Sequence, residues 1–225
     1  MSDSPRTPRL LRGAIIGLDL FNPLASLVIF QYNPERLTRT ITPTTNDRYG
    51  TLAPGEATRL TGPPAEDISA EIELDATDQL ESGKSPATIL GIHPTLAALE
   101  MLVYPKSALV IASEVLAALG IIEVVPPEAP LTLFVWGPAR VVPVRLQSMT
   151  ITEEAFDPNL NPIRANVSLS MRVLTYRDLG LLSPGGAVFM AHQIVKEAMA
   201  TLNGVGALSA AGSFSLTAGG SIGGG

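Results

Sequence analysis

The sequence predicts a mainly β fold with α (α+β), and three observations predict it. Ile68, Ala70, Ile72 and Leu74 alternate with Ser69, Glu71, Glu73 and Asp75, the two-residue period of a strand with one buried and one wet face. Residues 141–176 contain an outgoing run, Val141 to Glu154, and a long alternating return from Ile163 around the turn-rich string Asp157-Pro158-Asn159-Leu160-Asn161-Pro162, which predicts a hairpin. Helical spacing follows helix-opening signals at His93-Pro94 and Ser183-Pro184.

Taken in order, residues 10–20 and 26–32 are β-rich runs parted by the turn tripeptide Phe21-Asn22-Pro23, and the second stops at Asn33-Pro34. Residues 36–42 alternate, with Leu37, Arg39 and Ile41 on one side and threonines on the other, which predicts a third, partly solvated strand. Residues 43–66 are rich in proline and glycine and predict a long loop, a class of segment that is often functional. The strand around Ile68 to Asp75 follows. From Pro94, the residues Leu96, Leu99, Glu100, Leu102 and Val103 predict about three helical turns ending at Pro105. A second helix is predicted over 107–120, stopped by Gly120, after which Pro126, Pro127 and Pro130 force a turn before strand 131–137.

In the hairpin, Ile163, Ala165, Val167, Leu169, Met171 and Val173 alternate with polar residues over a run far longer than the usual five or six residues. Such a hairpin can outreach its own core and lie against a neighbouring subunit. After Ser183-Pro184, Met190, Ile194, Val195, Ala198 and Leu202 share a helical face. From Asn203 the chain is rich in Gly, Ala and Ser, a composition expected to form a flexible or assembly-ordered tail.

Composition narrows the function classes. Hydrophobic residues make up 46% of the 225, enough for a real core, while charged residues reach only 16% against the usual value of about 25%. A surface so short of charge fits a protein packed against neighbours. The net charge of -6 and thinly spread Lys and Arg argue against nucleic acid as a partner. No cysteine is present, so disulfides and thiolate metal sites are excluded. The apolar stretch 107–125 carries Glu114 and Glu123 and runs into prolines, which argues against a membrane span.

His93 and His192 are the only histidines, and neither has a motif-spaced nucleophile, orienting carboxylate or ligand partner. Glu153, Glu154 and Asp157 could attract a cation but lack the alternating oxygen ligands of a calcium loop, and read as a solvated hairpin end. Ser183-Pro184-Gly185-Gly186 has neither the phosphate-loop nor the dinucleotide pattern and reads as a turn. Trp136, Phe30, Tyr32, Phe134 and Phe156 lie in or beside strand-type runs, where core or interface packing is their commoner use. No enzyme activity, cofactor or metal is expected, and no catalytic, cofactor-binding or metal site residue is assigned.

Leu27–Leu37 (LVIFQYNPERL), Arg59–Leu80 (RLTGPPAEDISAEIELDATDQL) and Thr150–Asp178 (TITEEAFDPNLNPIRANVSLSMRVLTYRD) together resemble the tube-like baseplate adaptors of extracellular contractile injection systems, the LysM-associated tube proteins of phage-tail-like particles. GIHPTLAALEMLVYP, residues 91–105, is similar to that family's helix, and the likeness covers about residues 10–180. The resemblance implies a tube-protein-like barrel or sandwich of two β-sheets with a packed helix. It implies a hexameric ring that links a trimeric spike hub to the inner tube and initiates tube assembly. Implied partners are other copies of this chain, the inner tube protein, the spike or hub protein and other baseplate proteins. Implied localisation is assembly in the bacterial cytoplasm, within a particle that is cytoplasmic or released. Where many relatives continue into a LysM module, this chain has a helix and a Gly-rich tail, so glycan binding does not carry over.

The expected organisation is a flexible N-terminus over 1–9, a tube-like β domain over 10–180, a C-terminal helix over 181–203 and a tail over 204–225. On this reading the hairpin Val141–Tyr176 builds the ring wall, the loop Pro43–Glu66 reaches an adjacent layer, and Val167→Asp or Leu169→Asp breaks assembly. The alternative from another class is a stand-alone β-barrel that binds a small apolar ligand. A hydrolase comes third, without an arranged nucleophile or base.

Overall fold

The computed structural model describes residues 12–18, 27–30, 33–44, 60–77, 80, 87–120 and 130–211. The predicted turn at Phe21 to Pro23, Tyr32, most of the 43–66 loop, Pro126, Pro127 and the tail from 212 lie outside the described residues. The strands are β1 (Ala14–Leu18), β2 (Leu27–Ile29), β3 (Leu37–Thr42), β4 (Ala65–Asp75), β5 (Leu131–Val135), β6 (Val141–Phe156) and β7 (Pro162–Val173). The helices are α1 (Ala87–Leu90), α2 (His93–Glu100), α3 (Ser107–Ala118), α4 (Tyr176–Leu179) and α5 (Pro184–Ala211). The α+β class and the C-terminal helix are therefore as the sequence predicts.

The seven strands form one antiparallel sheet in the order β2-β1-β5-β6-β7-β4-β3. This is a single sheet where two were expected, and among the described residues it is not closed into a barrel. The reason is the length of β6. Over Val141 to Val144 it pairs with β5, and from Val144 to Phe156 it pairs along its other edge with β7, so one strand joins both halves. A register shift between Leu146 and Ser148 interrupts that ladder, and bulges of this kind bend and twist a strand.

The alternation seen in the sequence sorts the two faces. Ile68, Ile72, Val167 and Met171 are fully buried, and Ala70, Leu74, Ala165, Leu169 and Val173 nearly so. Antiparallel partners point to the same side, so Ile72 and Val167 sit across from each other and Ile151 lies beyond. α2 covers this apolar face with Ile92, Leu96, Leu99 and Leu102. Pro94 stands in its first turn, where a missing N–H costs nothing. Phe30 and Phe134 are fully buried and Trp136 stacks on Phe134 with centroids 6.0 Å apart, so these three are packing residues, as read.

α5 runs 28 residues and passes through Asn203, Gly204 and Gly206, where the tail was expected to begin. Gly185 and Gly186 lie inside its first turn and are not a turn as read. Ser183 Oγ accepts the Gly186 N–H (3.0 Å), a cap of the kind that stabilises a helix by about 1 kcal/mol. A Cβ on Gly186 would stand 2.1 Å from the Gly180 carbonyl oxygen, so only glycine lets the helix sit this close. Thr175 opens α4 with a capping box, its hydroxyl accepting the Arg177 N–H while Asp178 accepts the Thr175 N–H.

Candidate functional site

The sheet face opposite the core is polar and carries most of the paired charge. Arg172 spans the sheet to Asp67 in a bidentate contact (3.1 and 3.2 Å), and Arg164 Nη2 donates to Asp75 Oδ2 (2.8 Å). Burial raises the Asp75 carboxyl, but hydrogen bonds from Thr77 and the Arg164 guanidinium outweigh it and hold the group below its ordinary value. Asn166 donates to Glu154, and Ser69, Ser148, Thr150, Ser168 and Ser170 fill the ground between. Solvent screens exposed pairs of this kind, so they define a hydrophilic surface more than they hold the fold. Part of this face lines a broad concavity of about 1320 Å³, with Arg12, Arg36, Glu71, Glu73, Thr150 and Ser168 on its walls.

Other surfaces are apolar and uncovered. α3 has no buried residue, and Ile111, Val115 and Leu119 are 63%, 53% and 72% exposed. Glu114 is its one charged side chain. A helix this apolar with no face of its own against the core requires cover from elsewhere. α5 shows a similar division, since Phe189 and His192 are buried but Ile194, Met199, Leu202 and Val205 are exposed.

The hairpin tip forms a third feature. Asp157 Oδ1 accepts the N–H groups of Asn159 and Asn161, and Asn161 Nδ2 donates to Asp157 Oδ2 and to the Ile89 carbonyl. These bonds, that of the Asn161 side chain foremost, hold the Asp157 carboxyl below its ordinary value. Leu160 is 78% exposed and left-handed at φ 64°. A side chain that gains no burial in a backbone conformation costing about 1 kcal/mol is strained without local reward. Leu160→Asn, which tolerates that conformation, should leave the isolated subunit as stable or up to about 1 kcal/mol more stable, checked by urea denaturation.

The residues singled out from sequence fall as follows. His93 is exposed at the start of α2, and His192 is buried on α5, far along the chain from it. Glu153 and Glu154 pair with Ala165 and Arg164 on consecutive registers and so point to opposite faces, while Asp157 is occupied in its own turn. The three do not converge. Among the described residues, no group of three His, Asp or Glu side chains is placed to hold a metal ion.

Sequence reasoning missed one cluster. Glu66 is almost buried on the core face of β4, where Arg39 Nη2 reaches Oε1 at 2.6 Å and Lys196 Nζ reaches Oε2 at 3.3 Å. Burial raises the Glu66 carboxyl, but the Arg39 hydrogen bond and Lys196 overcome it and leave it below its ordinary value. The signal was present: Glu66 continues the inward set Ile68, Ala70, Ile72 by one step, and Arg39 sits across from Ile68.

Two solved structures, described as the virion of a native gene transfer agent (GTA) particle and the tail of an empty GTA particle with C6 symmetry, are each 14% identical to this chain. Each comparison covers 72% of this chain and 90% of the other, with TM-scores of 0.29 and 0.30, overlaps too loose to place any residue. No curated protein matches. Residues 21–178 match the family described as "Contractile injection system tube protein", a span from before β2 to α4 that leaves α5 outside. The chain belongs to the contractile injection system tube protein family.

Proposed function

We propose that this chain is a non-enzymatic adaptor subunit that forms a hexameric ring in the baseplate, joins the trimeric spike hub to the inner tube and initiates tube assembly. The observation that carries this reading is α3, an apolar helix with no buried residue, beside a sheet whose other face is polar. Apolar cover from ring neighbours and a hydrated surface toward a lumen would satisfy both. The extra helix α5, outside the family-matched residues, offers the further surface that a junction needs and a repeating tube layer does not. Residues 10–180 would form the ring body, with the β6–β7 hairpin in its wall, and α5 would turn to the hub or tube. The alternative, a stand-alone ligand-binding barrel, needs a closed apolar pocket, whereas the described strands leave the sheet open and its concavity polar.

The full chain should form six-fold rings by negative stain, and adding inner tube protein should extend tubes from them. Ile111→Glu with Val115→Glu should keep the monomer's circular dichroism and melting while abolishing rings, because both side chains are exposed and cost the monomer little. A wild-type chain that stays monomeric with tube and hub proteins present would overturn the proposal.

A further inference from the structure

The docked half of α5 ends at an unusual place. Among residues 184–207 its buried residues are Gly185, Gly186, Phe189 and His192, spaced as one helical face, and none from 193 to 207 is buried. Phe189 meets Tyr176 edge-on at 6.0 Å, an ordinary apolar anchor. His192 is only 7% exposed, yet neither ring nitrogen has a hydrogen-bond partner. Buried polar atoms without partners are rare because each costs free energy to desolvate.

The surroundings of that ring are cationic. Lys196 stands one turn further along α5 and Arg140 comes from the β5–β6 turn, while Arg39 of β3 acts on Arg140 and binds Glu66. Among the described residues Glu66 of β4 is the one carboxylate facing them, already engaged by Arg39 and Lys196. The Ala139 backbone lies against the ring outside hydrogen-bond geometry. A neutral imidazole can be held there at the cost of its unpaired nitrogens. A cationic one would be the fourth positive charge around a single negative one, in a place shielded from water.

We propose that this cluster is a proton-sensitive latch at the distal end of the α5 docking segment, and that acidification releases the helix from the body while the sheet stays folded. Burial first, then Lys196 and Arg140, push the His192 pKa below its ordinary 6.5, with Glu66 opposing. In the released helix the ring titrates at about 6.5. Docking is therefore at full strength above that value and weakens as pH falls through it toward the docked pKa. Glu66 works in the same direction at lower pH, since Lys196 of α5 adds to Arg39 in holding its carboxyl below the ordinary value and that added pairing fades as the carboxyl takes a proton. The histidine step comes first.

Hydrogen exchange of α5 amides in the monomeric full chain, corrected for intrinsic rates between pH 7.5 and 5.5, tests this. Protection over 187–195 should fall by about threefold or more across that range while β4 and β7 amides keep theirs. His192→Leu, which fills the site and cannot titrate, should remove the pH step. Should that variant fold poorly, Arg140→Gln keeps the histidine and should shrink the step. A flat wild-type profile, or an unchanged step in either folded variant, would overturn the latch.

Discussion

Val167→Asp is expected to leave no folded subunit. Val167 is fully buried in a central strand, facing Ile72 on β4 and Ile151 on β6. An aspartate there would face isoleucines on both neighbouring strands, and an unpaired buried charge costs more than about 3 kcal/mol. Loss of the valine packing adds roughly 1–2 kcal/mol, so the sum reaches the lower end of a typical stability of about 5–15 kcal/mol. The expected result is loss of the cooperative urea transition and an insoluble chain, while Val167→Ala keeps a transition shifted to lower urea. This changes the meaning given to the substitution at the sequence level. Val167 and Leu169 lie in the subunit's own core, 0% and 2% exposed, so a charge there tests folding before it can test assembly. A soluble, cooperatively folding Val167→Asp subunit would contradict the burial described above.

Gly91→Ala is the second large effect. Gly91 lies between α1 and α2 at φ +56°, and a Cβ there would stand 2.2 Å from the Pro162 carbonyl oxygen. That oxygen also accepts the Ile92 N–H at 2.9 Å, tying the α2 end to the start of β7. The left-handed backbone alone costs an alanine about 1–2 kcal/mol, and the backbone collision adds to it because no flexible side chain can yield. We expect a total above about 3 kcal/mol by urea denaturation. Gly137→Ala separates the two causes, since Gly137 has φ +72° but nothing within 4 Å of a Cβ, and should cost only about 1 kcal/mol. Equal losses at the two positions would refute the close approach.

Local pattern determined much of this protein. Strands β4 and β7 were legible because a period of two directly records which side faces a core, and Pro94 and Gly120 marked helix ends by their backbone limits. The absence of cysteine ruled out disulfides at once. α3 was legible as a helix, but its lack of buried residues was not, because an apolar helix in a core and one left outside have the same composition. Only the tertiary structure decided that one long strand, β6, joins what would otherwise be two sheets, since pairing along both edges of a strand leaves no mark in its own sequence. It alone decided that Gly185 and Gly186 serve close helix packing, and that Arg39, Glu66, Arg140, His192 and Lys196 meet. Those five side chains come from β3, β4, the β5–β6 turn and α5, and an electrostatic contact acts over ångströms in space, a distance the order of residues along the chain does not record.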